Sequence, residues 1–272
     1  MSEQATNGSV ERFDRIWTGW ADLVPREERI AQHRLGRERF LRALREALGR
    51  APRPLVLEVG CGSAIDLALL AESAPGFTVI GLDISVPGLR AARAFATHLG
   101  VKVGLCLGDT FALPFPSGSI GLVFSQGLLE HFHDPVPAIR EQVRTLAPGG
   151  RLIISVPQRW AGYTLHKRRA IRRGTWPWGW EGEYTARELV ALGHAEGLEC
   201  LEIFGYQYWR AWGEPAWVLR DLSGKFHRRN PWREMWAFRE LHRVYERIWG
   251  SLERRWGHLF MQNVVSVFQR SP

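Results

Sequence analysis

Cysteine is scarce in this chain: three residues in 272, Cys61, Cys106 and Cys200. They lie in or at the ends of apolar, strand-like segments without metal-ligand spacing. A disulfide framework and a zinc site are therefore excluded, and buried free thiols in a reducing cytoplasm are the expectation. Long apolar runs are missing too, so no segment suits a bilayer span, and the opening MSEQATNGSVERFD offers neither a basic leader nor an apolar stretch. There is no internal repeat and no low-complexity tract. Lysine is almost absent, 3 residues against 33 arginines, and arginine also occurs throughout the neutral first part, so composition explains much of the basic balance.

What is present is unevenly placed. Residues 1–150 carry 16 basic and 16 acidic side chains, residues 151–272 carry 20 and 12, and the whole net charge of +8 therefore lies in the second part. Eleven of the 13 tryptophans lie there as well. From residue 55 onward, short apolar runs alternate with helical spacing, which predicts an α/β fold with a mostly parallel sheet and helices on both faces. The expected strands are 55–59, 78–82, 102–106, 120–125, 150–156, 198–204 and 263–269. The expected helices are 64–73, 86–98, 135–146 and 185–196. The last opens on Thr185-Ala-Arg-Glu188, a capping box. Residues 1–50 form a helical preface or lid, with the basic helix 26–48 ending at Gly49, and 51–204 form the core. Residues 205–262 are a Trp/Arg-rich helical insertion, and 263–272 return to the core as its last strand. Inside the insertion, Asn230-Pro231 reads as a helix start and Gly257 as a stop, with a tryptophan stripe between them that packs on the domain.

The stretch LEVGCGSAID, residues 57–66, leaves the first strand through a glycine turn. Such a turn brings backbone amides and a helix N-terminus close to a ligand. A dinucleotide fingerprint would need a third glycine where Ile65 stands, so the nicotinamide reading loses its most specific residue. Asp83, about 20 residues further on, ends the second strand where a carboxylate accepts ribose hydroxyls. Asp109 follows the third strand, where an adenine amino group is within its reach. Glu58 would repel a pyrophosphate but suits an ammonium group. A nucleoside carrying an amino acid satisfies all three acids, which describes S-adenosylmethionine.

The segments VLEVGCGSAIDLALLA, VIGLDIS, GDTFALPFPSGSIGLVFSQGLLEHFHDPVPAIREQVRTLAPGGRLIISVP and YTARELVALGHAEGLE resemble the class I S-adenosylmethionine-dependent methyltransferases, especially the ubiquinone/menaquinone-biosynthesis-like, type 11 group. The resemblance covers about residues 55–204 and implies a Rossmann-like seven-stranded fold. It implies that Glu58, Gly60, Cys61 and Gly62 frame the methionine part, that Asp83 holds the ribose, and that Ile84 packs on adenine. Asp109 and Thr110 would face the adenine edge, and Ser125-Gln126-Gly127 would pass near the transferable methyl. S-adenosylhomocysteine would be the product. Two positions depart from the family pattern: Ala64 replaces a common glycine, and Gly121 a common aspartate.

A sulfonium methyl is already activated, so alignment and water exclusion supply most of the catalysis, with a base needed only for protonated acceptors. His131 is the candidate base, although its first expectation is to order the loop and line the cofactor pocket. No nucleophile elbow is present. The segment HKRRAIRRGTWPWGW places arginines beside tryptophans, and a solvated basic loop with its tryptophans packed inward explains it as well as an acceptor site does. On the acceptor reading, Trp17, Trp20, Trp160, Arg168, Arg172 and Trp178 bind a small molecule that is apolar or aromatic and anionic, delivered from a membrane surface by peripheral contact. RNA or protein is the runner-up acceptor, and a cofactor-binding, non-catalytic homologue is the alternative of a different class. The sequence specifies neither oligomeric state nor pathway, and it contains no metal-ligand pattern.

Overall fold

The computed structural model describes residues 7–21, 30, 33, 34, 36–206 and 255–272. Seven strands, β1 (Leu55–Val59), β2 (Thr78–Asp83), β3 (Gly104–Leu107), β4 (Ile120–Gln126), β5 (Leu146–Pro157), β6 (Leu198–Tyr206) and β7 (Asn263–Arg270), form one sheet in the order β3-β2-β1-β4-β5-β7-β6. Only β7 runs antiparallel to its neighbours. The direction of winding reverses between β1 and β4, so a crevice opens beyond their carboxyl ends, the usual ligand position in such sheets. All seven expected strands are present. β5 begins at Leu146, four residues before the expected start.

Helices cover both faces: α1 (Asn7–Ala21), α2 (Glu38–Leu48), α3 (Ile65–Ala71), α4 (Val86–His98), α5 (Val136–Thr145), α6 (Gly162–Arg172) and α7 (Ala186–Ala195). Val56 packs with Phe40, Leu44, Leu70 and Phe124 on one side of the sheet, while its neighbour Leu57 packs with Val123, Ile139, Leu152 and Phe268 on the other. A strand buried on both faces needs apolar residues at successive positions, which is why LVLEV reads as a continuous run. The capping box of α7 forms: the Thr185 hydroxyl accepts from the Glu188 amide, and the Glu188 carboxylate from the Thr185 amide at 2.8 Å. At α4, the Ser85 hydroxyl accepts from the Gly88 amide at 3.2 Å.

Several expectations need correction. The basic run 162–172 is helix α6 rather than a loop. Of the basic helix 26–48, α2 supplies residues 38–48, and residues 22–29, 31, 32 and 35 lie outside the described set. Residues 207–254 also lie outside it, and with them Asn230-Pro231 and most of the tryptophan stripe. Gly257 does not stop a helix. It sits within the helical run 255–260, where its carbonyl would collide with a Cβ at Gly205, so two backbones meet at a pair of glycines. Among the cysteines only Cys61 is buried; Cys106 and Cys200 are half-buried, and all three are free. No helix of the described residues is long and apolar enough to cross a membrane.

One departure from the family pattern has a structural reason, and the other a structural cost. A side chain at Gly121 would collide with the Arg53 backbone, which crosses β4 there. Ala64, the N-cap of α3, is the one non-glycine described residue with positive φ, at 48°. The alanine therefore carries the strain that a glycine would avoid.

Candidate functional site

The glycine turn after β1 is held by its neighbour strand. The Gly60 and Cys61 amides donate to the Leu82 carbonyl at 2.8 and 3.0 Å. The next amide, of Gly62, donates to Asp83 Oδ2 at 2.6 Å, and Asp83 Oδ1 accepts from the Ser85 amide at 2.8 Å. Asp83 thus clamps the turn to the start of α4, while each carboxylate oxygen keeps a lone pair. Burial raises its carboxyl above the usual range, and the amides of Ser85, Gly62 and Ile84 pull it down. Ile84 is half-buried beside it. Gly60 and Gly62 have φ of 68° and 49°. A Cβ on Gly60 would press on the Leu128 side chain at 2.7 Å, and one on Gly62 would collide with the Trp17 indole. The Cys61 side chain points away from the turn: its Sγ lies 2.8 Å from where Gly81 would carry a Cβ, so Cys61 offers the crevice its backbone alone.

Three buried polar atoms around the crevice lack a hydrogen-bond partner among the described residues: Glu58 Oε2 on β1, Thr110 Oγ1 after β3 and Ser125 Oγ on β4. Glu58 is 3% exposed. Burial, and then the charge of Asp66, hold its carboxyl well above the ordinary range against the pull of Arg37. Asp66 itself is held below its usual value, since Arg37 at 2.5 Å and His33 at 2.9 Å outweigh its burial. Asp109 caps its own turn, accepting from the Phe111 amide at 3.0 Å. The loop that follows is pinned by Arg144, whose guanidinium donates to the carbonyls of Leu113 and Phe115 and to the Ser117 hydroxyl, while ion-paired to Glu141 at 2.8 Å. Gln126 is half-buried and its side chain bonds the Tyr206 hydroxyl.

Above the crevice, α1 and the segment 174–184 meet the 3-10 turn Leu129–His131. The Phe13 ring stands 5.0 Å from His131 in an edge contact, and Trp178 lies 6.1 Å from Trp17 and 6.3 Å from His131. Asp14 accepts from the Ser85 hydroxyl at 2.6 Å. Burial, reinforced by Lys167, pushes His131 down to about 4, so the ring is neutral at physiological pH. The structure therefore brings Trp17, His131 and Trp178 together over the glycine turn. Trp160, Arg168 and Arg172 do not join them. Trp160 is 62% exposed, the Trp20 side chain lies outside the described ones, and Arg168 is ion-paired to Glu183 at 2.6 Å. Arg168 and Arg172 line a separate cavity beside Trp180 rather than Trp178.

Sequence reading missed Phe13 and Asp14, and it took Lys167 for part of a solvated run. Lys167 is fully buried, with its ammonium 3.3 Å from Glu181 and 3.7 Å from Glu183, donating to the Gly182 carbonyl. Glu130 is buried next to this group, and its Oε2 has no partner. Burial, with the Glu181 charge, pushes the Glu130 carboxyl up to about 8. The spacing of Lys167 in α6 was the only available signal, since it shares the inward stripe with buried Thr164. Among the described residues no cluster of three or more metal-ligating groups occurs.

Residues 57–154 match the family described as a methyltransferase domain. A demethylmenaquinone methyltransferase of Thermus thermophilus is 41% identical over 114 residues, 42% of this chain and 51% of that protein. A ubiquinone biosynthesis O-methyltransferase of Bordetella avium is 28% identical over 79% of this chain and 88% of its own length. A protein in transposon TN4556 of Streptomyces fradiae is 37% identical over 44% of this chain and 34% of its length. The chain thus spans between a third and about half of several of the curated relatives it matches. In fold, it superposes on geranyl diphosphate C-methyltransferase from Streptomyces coelicolor with a TM-score of 0.60 at 17% identity, covering 98% of this chain and 99% of that one.

Proposed function

We propose that this chain, whose residues 57–154 match the family described as a methyltransferase domain, is an S-adenosylmethionine-dependent methyltransferase acting on a small, apolar or aromatic acceptor. The observation that carries the reading is the trio of unpartnered buried atoms, Glu58 Oε2, Thr110 Oγ1 and Ser125 Oγ, at the carboxyl end of the sheet. Buried polar atoms are nearly always bonded, so three around one crevice call for a polar ligand. An aminoacyl nucleoside fits them: carboxyl and hydroxyl acceptors for an ammonium, and spare lone pairs on Asp83 for ribose hydroxyls. A diphosphate would meet the acids Glu58, Asp83 and Asp109 instead of cations.

When bound, the cofactor supplies a sulfonium methyl and is left as S-adenosylhomocysteine. The chain orients and dries the site. Glu58 and Ser125 fix the amino-acid end, Asp83 with Ile84 the nucleoside, and Asp109 with Thr110 the base. Phe13, Trp17 and Trp178 close the crevice against water, which strengthens the interactions inside it. His131, neutral but a weak base at about 4, chiefly positions the acceptor. It takes a proton only from an acidic one. Helix α1 serves as the lid. Free thiols at all three cysteines suit a reducing cytoplasm.

Calorimetry with S-adenosylhomocysteine tests the reading. Binding should be detectable in the wild type and weakened by about 1–3 kcal/mol in Asp83→Ala, the scale of a lost charge-assisted hydrogen bond. Tight nicotinamide binding without S-adenosylhomocysteine binding would overturn it.

A further inference from the structure

A cavity of about 560 Å³ lies beyond the crevice, between α6, the segment 180–184 and the loop at Phe132 and His133. None of the residues assigned above to the cofactor lines it. Its size falls within the range of ordinary small-molecule pockets, ~300–1,000 Å³. One wall is aromatic: the His133 imidazole stacks on the Trp180 indole with centroids 3.9 Å apart, and Trp180 is 44% exposed. The other wall is cationic. Arg159 is paired with Glu188 at 2.6 Å and Arg168 with Glu183 at 2.6 Å, while Lys167, buried behind this wall and not lining it, is paired with Glu181 at 3.3 Å. Arg172, exposed in the last turn of α6, has no carboxylate partner among the described residues. Each of the other three cations has a carboxylate, and the Arg172 guanidinium faces an open, aromatic-walled space. A planar fork of donors beside a stacked indole is matched by a flat molecule ending in a carboxylate or phosphate.

The cavity adjoins the crevice through one stretch of loop. Trp178 touches Phe13, Trp17 and His131, whereas Trp180, two residues on, serves the cavity. The Gly182 amide donates to the Glu130 carbonyl at 2.7 Å and ties this wall to the turn that carries His131. Phe132 between the two histidines is extended, so His131 and His133 are separated by about 7 Å of chain. Cavity and crevice thus share one wall, with His133 and Trp180 on one side of it and His131 and Trp178 on the other. We infer that this cavity is the subsite for the acceptor's anionic end, held by Arg172 and stacked on Trp180, and that the acceptor is a planar apolar carboxylate or phosphate. The inference rests on the methyltransferase reading and adds the acceptor's charge and orientation to it.

The test uses the full chain and three probes: 2-naphthoate, 2-naphthyl phosphate and the uncharged 2-naphthamide, with S-adenosylhomocysteine measured in parallel by calorimetry. The better of the two anions should bind about tenfold more tightly than the amide, and which one leads identifies the source of the charge. Arg172→Gln should bring that anion to within about twofold of the amide, and Trp180→Ala should weaken all three probes, each with S-adenosylhomocysteine affinity unchanged. Anion binding that is no tighter than amide binding, or that survives in Arg172→Gln, overturns the subsite and leaves the methyltransferase reading standing. Loss of S-adenosylhomocysteine binding in the wild type overturns that reading instead.

Discussion

The floor and the roof of the crevice are built on opposite terms. The floor, at the tips of β1, β3 and β4, keeps buried polar atoms unpaired at Glu58, Thr110 and Ser125. The roof, in α6 and the segment 174–184, pairs its buried cation: Lys167 has two carboxylates and a carbonyl around it. Unpaired buried polar atoms cost stability unless something else binds them, whereas a paired cluster is complete as folded. The floor is where a ligand is required, and the roof is where the chain holds itself in place.

Breaking the roof should have the largest effect. Lys167→Met leaves Glu181 buried without its cation, while Glu183 keeps Arg168, and should cost about 4 kcal/mol, lowering Tm by about 10 °C. Adding Glu181→Met should recover part of that loss, because it removes a stranded charge. A Lys167→Met protein with an unchanged melting curve would show that the cluster does not hold the roof.

Glu130, at the seam between the two, sharpens the comparison through pH. Its folded value of about 8 lies above the ordinary 4.5, so the stability it contributes is whole below pH 4.5 and is lost as pH rises through 8. His131 acts in reverse: its folded value of about 4 lies below 6.5, and its contribution, present above pH 6.5, is lost as pH falls through 4. The two slopes oppose each other between pH 4.5 and 6.5. Of these two, only Glu130 acts from pH 6.5 to 8, and its share should lower stability by about 2 kcal/mol. Denaturant titrations across that window should flatten in Glu130→Gln and not in His131→Gln. The smallest effect lies on the floor: Ala64→Gly relieves the positive φ but removes a buried methyl, so stability should change by less than about 1 kcal/mol.

Legibility followed the range of the interactions. The helix Val86–His98 and the capping box at Thr185 were readable because their signals lie within a few residues. The glycine turn and Asp83 were readable because 21 residues separate them in a fixed βαβ spacing. Helix α6 was not, since its run of basic residues reads as solvated and the carboxylates that bury Lys167 come from a different segment, at Glu181 and Glu183. Nor was the seat of Trp17 on Gly62, which joins α1 to a turn 45 residues away. The Arg168 and Trp178 reading put in one place two side chains that face different spaces, because a segment with alternating contacts does not announce which side each residue serves.

The loop that follows Asp109 and Thr110 is tied down by Arg144 at Leu113, Phe115 and Ser117 before any ligand arrives. Fixing the backbone costs about 1–2 kcal/mol per residue, and here that freedom is surrendered when the chain folds. A base docking against Asp109 and Thr110 meets an already ordered edge, so little of its binding energy is spent on restraining the protein.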